Sequence, residues 1–270
     1  MHHHSLRRIL ALLLGVLTVL VLAGPVRSAG AFTADRTDRP TVVLVHGAFA
    51  DASGWNDVTK RLQARGYPVL APANPERRLH LDSLYLSSVV STIEGPVILV
   101  GHSYGGAVIT NAATTLPNVK ALVYIAAFGP DVGETVIDLV SRYPGSGLTS
   151  PENLVLRPYP AGVDAYINPR IFHEVFAADL PAATTAVMAA SQRPAEAAIL
   201  VQPSGFPAWR TIPSWYLVAR SDRTIPAAAE RFMAERMGAT TVEIESSHVA
   251  MMSHPDAVVD LIVAAAKQTN

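Results

Sequence analysis

Val97-Ile98-Leu99-Val100-Gly101-His102-Ser103-Tyr104-Gly105-Gly106 joins a β-branched apolar run to a Gly-x-Ser-x-Gly motif. The run over 96–100 predicts a strand, and the pattern over 104–115 predicts a helix. A serine on a sharp strand-to-helix turn sits in a strained conformation, and small residues two before and two after it relieve the clashes. The turn lifts the hydroxyl above the sheet edge and points the first helical N–H groups at developing negative charge. Gly-x-Ser-x-Gly by itself recurs by chance. Its flanks here mark Ser103 as a nucleophile rather than a structural turn.

A serine hydroxyl needs a general base near neutral pH. Of nine histidines, most have a plainer reading. His46 ends the first strand and is expected to hold a structural hydrogen bond, His102 projects away from its neighbour on the turn, and His80 opens a helix toward solvent. His173-Glu174 begins a metal-helix pattern, but Ala177 stands where its second histidine belongs. His254 precedes Pro255 as a helix-entry residue. His248 lies in Glu245-Ser246-Ser247-His248, after the last predicted strand and before the final helix, where a base can reach over the sheet edge to Ser103. Its carboxylate partner is expected to be Asp222, on the loop after the strand over 215–218, with Asp131 as the alternative. The chain order Ser, Asp, His agrees with that of the Gly-x-Ser-x-Gly hydrolases. Oxyanion donors are expected from the N–H of Tyr104 and from His46-Gly47-Ala48-Phe49, with Ala48 preferred and Phe49 next.

Runs like that before Ser103 recur at 41–45, 68–70, 121–125, 215–218 and 241–244, and helical patterns fall at 55–65, 81–93, 226–237 and 255–267. Strands alternating with helices imply right-handed βαβ units, hence an α/β fold of about six mostly parallel strands flanked by helices. Only the stretch over about 130–207 breaks the rhythm, with prolines, Gly145-Ser146-Gly147 and apolar helical patterns. Its position suggests a helical cap over a pocket. Phe49, Phe172, Phe176 and Met188, beside Tyr104, are expected to line that pocket, although an ordinary cap core fits them too.

At the N-terminus, Arg7-Arg8 precede an apolar run from Ile9 to Ala23, Gly24-Pro25 break it, and Ala29-Gly30-Ala31 fits a cleavage site. This predicts a signal peptide over 1–31, a hydrolase domain over 32–270, and export from the cytoplasm. An uncleaved anchor is the alternative reading, and His2 to His4 read as a tag. The net charge of −1 and the lack of a long basic run argue against nucleic acid or an anionic membrane as partner. The absence of cysteine excludes disulfides, thiolate metal sites and a cysteine nucleophile.

Taken together, Val43 to Ala48, Trp55, the Gly101 to Gly106 turn, Asp222 and His248 resemble the α/β-hydrolase superfamily. The likeness is greatest to the branch of plant methylesterases, hydroxynitrile lyases and many bacterial esterases. It spans Thr41 to about Val263 and is weakest in the cap. The resemblance implies a Ser103–His248–Asp222 triad with a donor at Ala48, acting on small to medium hydrophobic esters without metal or cofactor. Haloalkane dehalogenases and epoxide hydrolases place an aspartate at the turn. The lyases carry a lysine after the histidine, where this chain has Val249. A cofactor-free perhydrolase and a non-catalytic ligand receptor on the same fold are the competing expectations.

Overall fold

The computed structural model describes residues 39–268. The predicted leader over 1–31 lies outside them. Strands β1 (Thr41–Val45), β2 (Val69–Leu70), β3 (Val97–Ser103), β4 (Val119–Ala127), β8 (Ser214–Ala219) and β9 (Thr240–Ile244) form one sheet in the order β2-β1-β3-β4-β8-β9. Every pairing in it is parallel. Val42 to Leu44, Val97 to Val100 and Ala121 to Ile125 have almost no exposed surface, as continuous apolar runs require when both sheet faces are covered. β9 is the exception. It lies at the sheet edge, and Thr240 to Glu243 are exposed.

Helices α1 (Asn56–Ala64), α2 (Leu79–Val90), α3 (Tyr104–Ala112), α7 (Ala227–Arg236), α8 (Ala250–Ser253) and α9 (Pro255–Lys267) cover the sheet. From β1 to β2 the chain moves one way across the sheet, and from β2 to β3 it moves the other. Right-handed crossovers therefore send α1 and α2 to opposite faces. The reversal falls between β1 and β3, and the crevice at such a switch point, beyond the strands' C-terminal ends, is where open α/β sheets bind ligands. The loops carrying Ala48 and Ser103 both open there.

Between β4 and β8 lie α4 (Val136–Ser141), β5 (Leu154–Tyr159), β6 (Gly162–Ile167), α5 (Phe172–Phe176), α6 (Ala182–Ala190) and β7 (Ala195–Glu196). The cap thus has the expected helices and also a small antiparallel sheet, β5-β6-β7. Pro158 suits β5, which is an edge strand of that sheet and can spare a donor. The cap is tied to the loop before α2 by Arg77–Asp164 at 2.5 Å, by the Arg78–Glu196 ion pair, and by the Glu196 N–H donating to the Glu76 carbonyl at 2.9 Å. Among the described residues, no helix is long and apolar enough to cross a membrane.

Candidate active site

Ser103 ends β3 and caps α3 with φ +51° and ψ −125°, a left-handed backbone that a side-chain-bearing residue holds only when its surroundings impose it. The glycines around it explain how. A Cβ on Gly105 would stand 2.4 Å from the Val45 carbonyl oxygen and 2.8 Å from that of His46. One on Gly101 would stand 2.7 Å from the backbone of Gly105 and Gly106. Both obstacles are main chain and cannot swing aside. Gly105→Ala is therefore expected to destabilise the fold by about 3 kcal/mol, the upper range for overpacking, read as a lower denaturant midpoint at unchanged slope.

Gly47 brings the β1 loop against the turn, since a Cβ there would lie 2.6 Å from Ser103 Cβ. Ala48 and Tyr104 line one cavity with Ser103. Tyr104 is the first residue of α3, so its N–H has no intrahelical acceptor. Its side chain is buried, and its hydroxyl donates to Asp82 Oδ2 at 2.7 Å.

Across the crevice, His248 is fully buried and its Nδ1 lies 2.5 Å from Asp222 Oδ2. A carboxylate only accepts, so Nδ1 carries the proton and Nε2 offers its lone pair. Among the described residues, this buried Nε2 has no hydrogen-bond partner. The other oxygen of Asp222 accepts the N–H of Thr224 at 2.6 Å and of Ile225 at 2.9 Å. His102 steadies the same loop. Its Nε2 donates to the His248 carbonyl at 2.9 Å, and burial holds its pKa well below the usual value, so it stays neutral.

Two further carboxyls have no motif to announce them. Glu230, on α7, is buried beside Asp222 and accepts the Ala219 N–H at 3.0 Å. Burial and then the Asp222 charge raise its pKa well above the usual range. Asp179, between α5 and α6, accepts the Ser247 N–H at 2.9 Å and the Ser246 hydroxyl at 3.2 Å, and also bonds the Ser247 hydroxyl. The cap thereby holds the strand-to-helix loop that carries His248.

The cavity at Ser103 has a volume of about 30 Å³, and its cap-side walls are Val136, Ile137, Val140, Leu148, Leu154 and Leu200. Of the four residues expected to line the pocket, Phe49 does so. Phe172, Phe176 and Met188 instead border a second cavity on the far side of Phe49, beside Asp51 and Ser53. Phe172 and Phe176 are buried, and Phe176 packs edge-on to His248 with ring centroids 5.0 Å apart. They form a wall behind the imidazole rather than a lining at the serine.

The remaining candidates lie elsewhere. Asp131 is paired with Arg210 at 2.7 Å near the surface. His254 is exposed, with Nδ1 against Ser253 Oγ, and His80 is also exposed. His173 bonds Thr185 Oγ1 at 3.0 Å in the cap. His46 holds structural bonds, accepting the Asn74 N–H at 2.8 Å.

The model of the alpha/beta hydrolase family matches residues 42–261. Among curated proteins, a carbendazim hydrolyzing esterase from Nocardioides sp. is 36% identical over 113 residues, which cover 37% of this chain and 47% of that relative. The match thus spans less than half of that esterase. A pyrethroid hydrolase from Sphingobium wenxiniae is 28% identical over 247 residues, covering 82% of this chain and 85% of its own. Among solved structures, polyneuridine aldehyde esterase superposes with a TM-score of 0.71 at 21% identity, over 84% of this chain and 98% of that one. At that identity the likeness speaks for the fold.

Proposed function

This chain belongs to the alpha/beta hydrolase family, and from that premise we propose that it is a serine hydrolase of carboxylic esters acting through an acyl-enzyme. The observation that carries this reading is Ser103 held at positive φ at the head of α3, opening on an apolar cavity. The buried His248–Asp222 pair supports it from the neighbouring loops.

In this mechanism His248 Nε2 takes the Ser103 proton as Oγ attacks the ester carbonyl. The N–H groups of Ala48 and Tyr104 bind the tetrahedral oxyanion. Asp222 holds the Nδ1–H tautomer and stabilises the imidazolium. The imidazolium then protonates the leaving alcohol. Water, deprotonated by the same nitrogen, releases the acid. Catalytic hydrogen bonds tighten when substrate binds, in keeping with an Nε2 that is unpartnered before it arrives.

The apolar walls of the Ser103 cavity favour small to medium hydrophobic esters. The names of the carbendazim and pyrethroid hydrolases are consistent with that chemistry. The leader pattern over 1–31 makes this an exported enzyme in the same reading.

Incubation with p-nitrophenyl esters of increasing chain length tests the proposal, alongside labelling by a fluorophosphonate. Turnover together with a single covalent adduct mapped to Ser103 is expected. Absence of both would leave a receptor on a hydrolase fold. Faster turnover with hydrogen peroxide than with water as acyl acceptor would make it a perhydrolase.

A further inference from the structure

Glu76 takes no part in the mechanism above, yet its side chain is wholly buried beside it. Its backbone stands at φ +57°, a conformation kept only where the surroundings over-determine it. Oε2 accepts the Phe49 N–H at 3.3 Å. Oε1 lies 3.2 Å from His46 Nδ1 and 3.8 Å from Arg193 Nε.

Both ring nitrogens of His46 are engaged. Its Nε2 accepts an N–H from Asn74 and so carries no proton. Its Nδ1–H lies between the Gly47 carbonyl oxygen, at 3.0 Å, and Glu76. Asn74 Nδ2 donates back to the His46 carbonyl at 3.1 Å. Glu76 and Asn74 therefore both grip the turn 46–49, which carries Ala48. Phe49, held at φ +65°, also walls off the Ser103 cavity from the second one.

We propose that Glu76 is a positioning residue: its carboxylate, bonded to the Phe49 N–H, holds the 46–49 turn so that the Ala48 N–H meets the oxyanion. This rests on the acyl-transfer reading given above.

The ionisation of Glu76 then enters the reaction. Burial raises its pKa to about 7, against the opposing pull of His46, Arg193 and the Phe49 N–H. The other groups facing the network are Asp51, which interacts with His46 and Arg193, and Tyr104, whose own ionisation the Glu76 charge opposes. Above that value the carboxylate is a charge-assisted acceptor; below it the acceptor is neutral and weaker.

Glu76→Leu removes the acceptor, while Glu76→Gln keeps an acceptor that does not titrate. With p-nitrophenyl acetate, E76L is expected to lose about tenfold or more in kcat, part of what a whole oxyanion donor supplies, with KM little changed. E76Q, whose carbonyl oxygen can keep the Phe49 N–H while its amide faces His46 Nδ1, should recover part of that loss. The E76Q to wild-type ratio of kcat should also rise about twofold as pH falls from about 8 to about 6, because protonated Glu76 becomes a neutral acceptor like the amide. The imidazole is common to both proteins and cancels in that ratio.

A flat ratio across this range, or an E76L enzyme within about twofold of wild type in kcat, overturns the proposal. Should E76L fail to fold by circular dichroism, the E76Q ratio decides alone. An inert wild type that takes no fluorophosphonate refutes the acyl-transfer reading instead, so the two failures are distinguishable.

Discussion

Ser103→Ala is expected to lower kcat for ester hydrolysis by about 10⁶, and His248→Ala by a similar factor. The two residues act as one unit: without the hydroxyl there is nothing to deprotonate, and without the imidazole the hydroxyl remains protonated and weakly nucleophilic. The double variant should therefore be about as slow as either single one, far short of the product of their losses. Residual rate would come from substrate binding and the oxyanion donors at Ala48 and Tyr104. His254→Ala is the control, because that ring is exposed and bonded to Ser253. Initial rates at saturating p-nitrophenyl ester check all four variants. Losses that multiply in the double variant would mean that Ser103 and His248 act separately.

The second large effect is expected at Asp222. Its Oδ1 is held by the N–H groups of Thr224 and Ile225, so an asparagine would keep its carbonyl oxygen there. The amide nitrogen would then face His248 Nδ1, from which Asp222 Oδ2 stands 2.5 Å away. Two donors cannot share that position, so the imidazole must shift its proton to Nε2. An Nε2–H cannot accept from Ser103. Asp222→Asn should thus cost about 10⁴ in kcat with the fold intact. Glu230 is not placed to take over, since its Oε2 accepts the Ala219 N–H. Measuring kcat for D222N, with thermal melting as the folding control, checks this. A loss below about tenfold would disqualify Asp222 as the acid.

The fold, and the placing of Ser103, Asp222 and His248 at one edge of the sheet, were legible because their signals are local. Ser103 ends a strand, Asp222 and His248 lie on the loops just past strands, and strands buried on both faces write themselves as unbroken apolar runs. Other features depend on contacts distant in sequence. Glu76, Asp179 and Glu230 are ordinary carboxylates in the sequence, and a lone acidic residue reads as surface. Their burial is decided by partners such as Phe49, Ser247 and Asp222. β5 was hidden because half-exposed strands with a proline lack the apolar run. Apolarity likewise marked Phe172 and Phe176 for burial, without saying whether they would face the serine or stand behind the imidazole.

The cap leaves the sheet at the end of β4 and returns at β8, and these two strands are hydrogen-bonded neighbours. The long excursion between them starts and finishes at almost the same place. Closing such a loop costs free energy that grows only with the logarithm of its length. The segment is therefore interchangeable in a way the rest of the chain is not. Lengthening, shortening or exchanging it alters no strand pairing of the six-stranded sheet and no residue on the Ser103 turn. It does alter Val140, Leu148 and Leu154, which form the walls of the cavity. The cavity walls can therefore be rebuilt within this one module, provided that the residues bracing the His248 loop from it, Asp179 and Phe176, are kept.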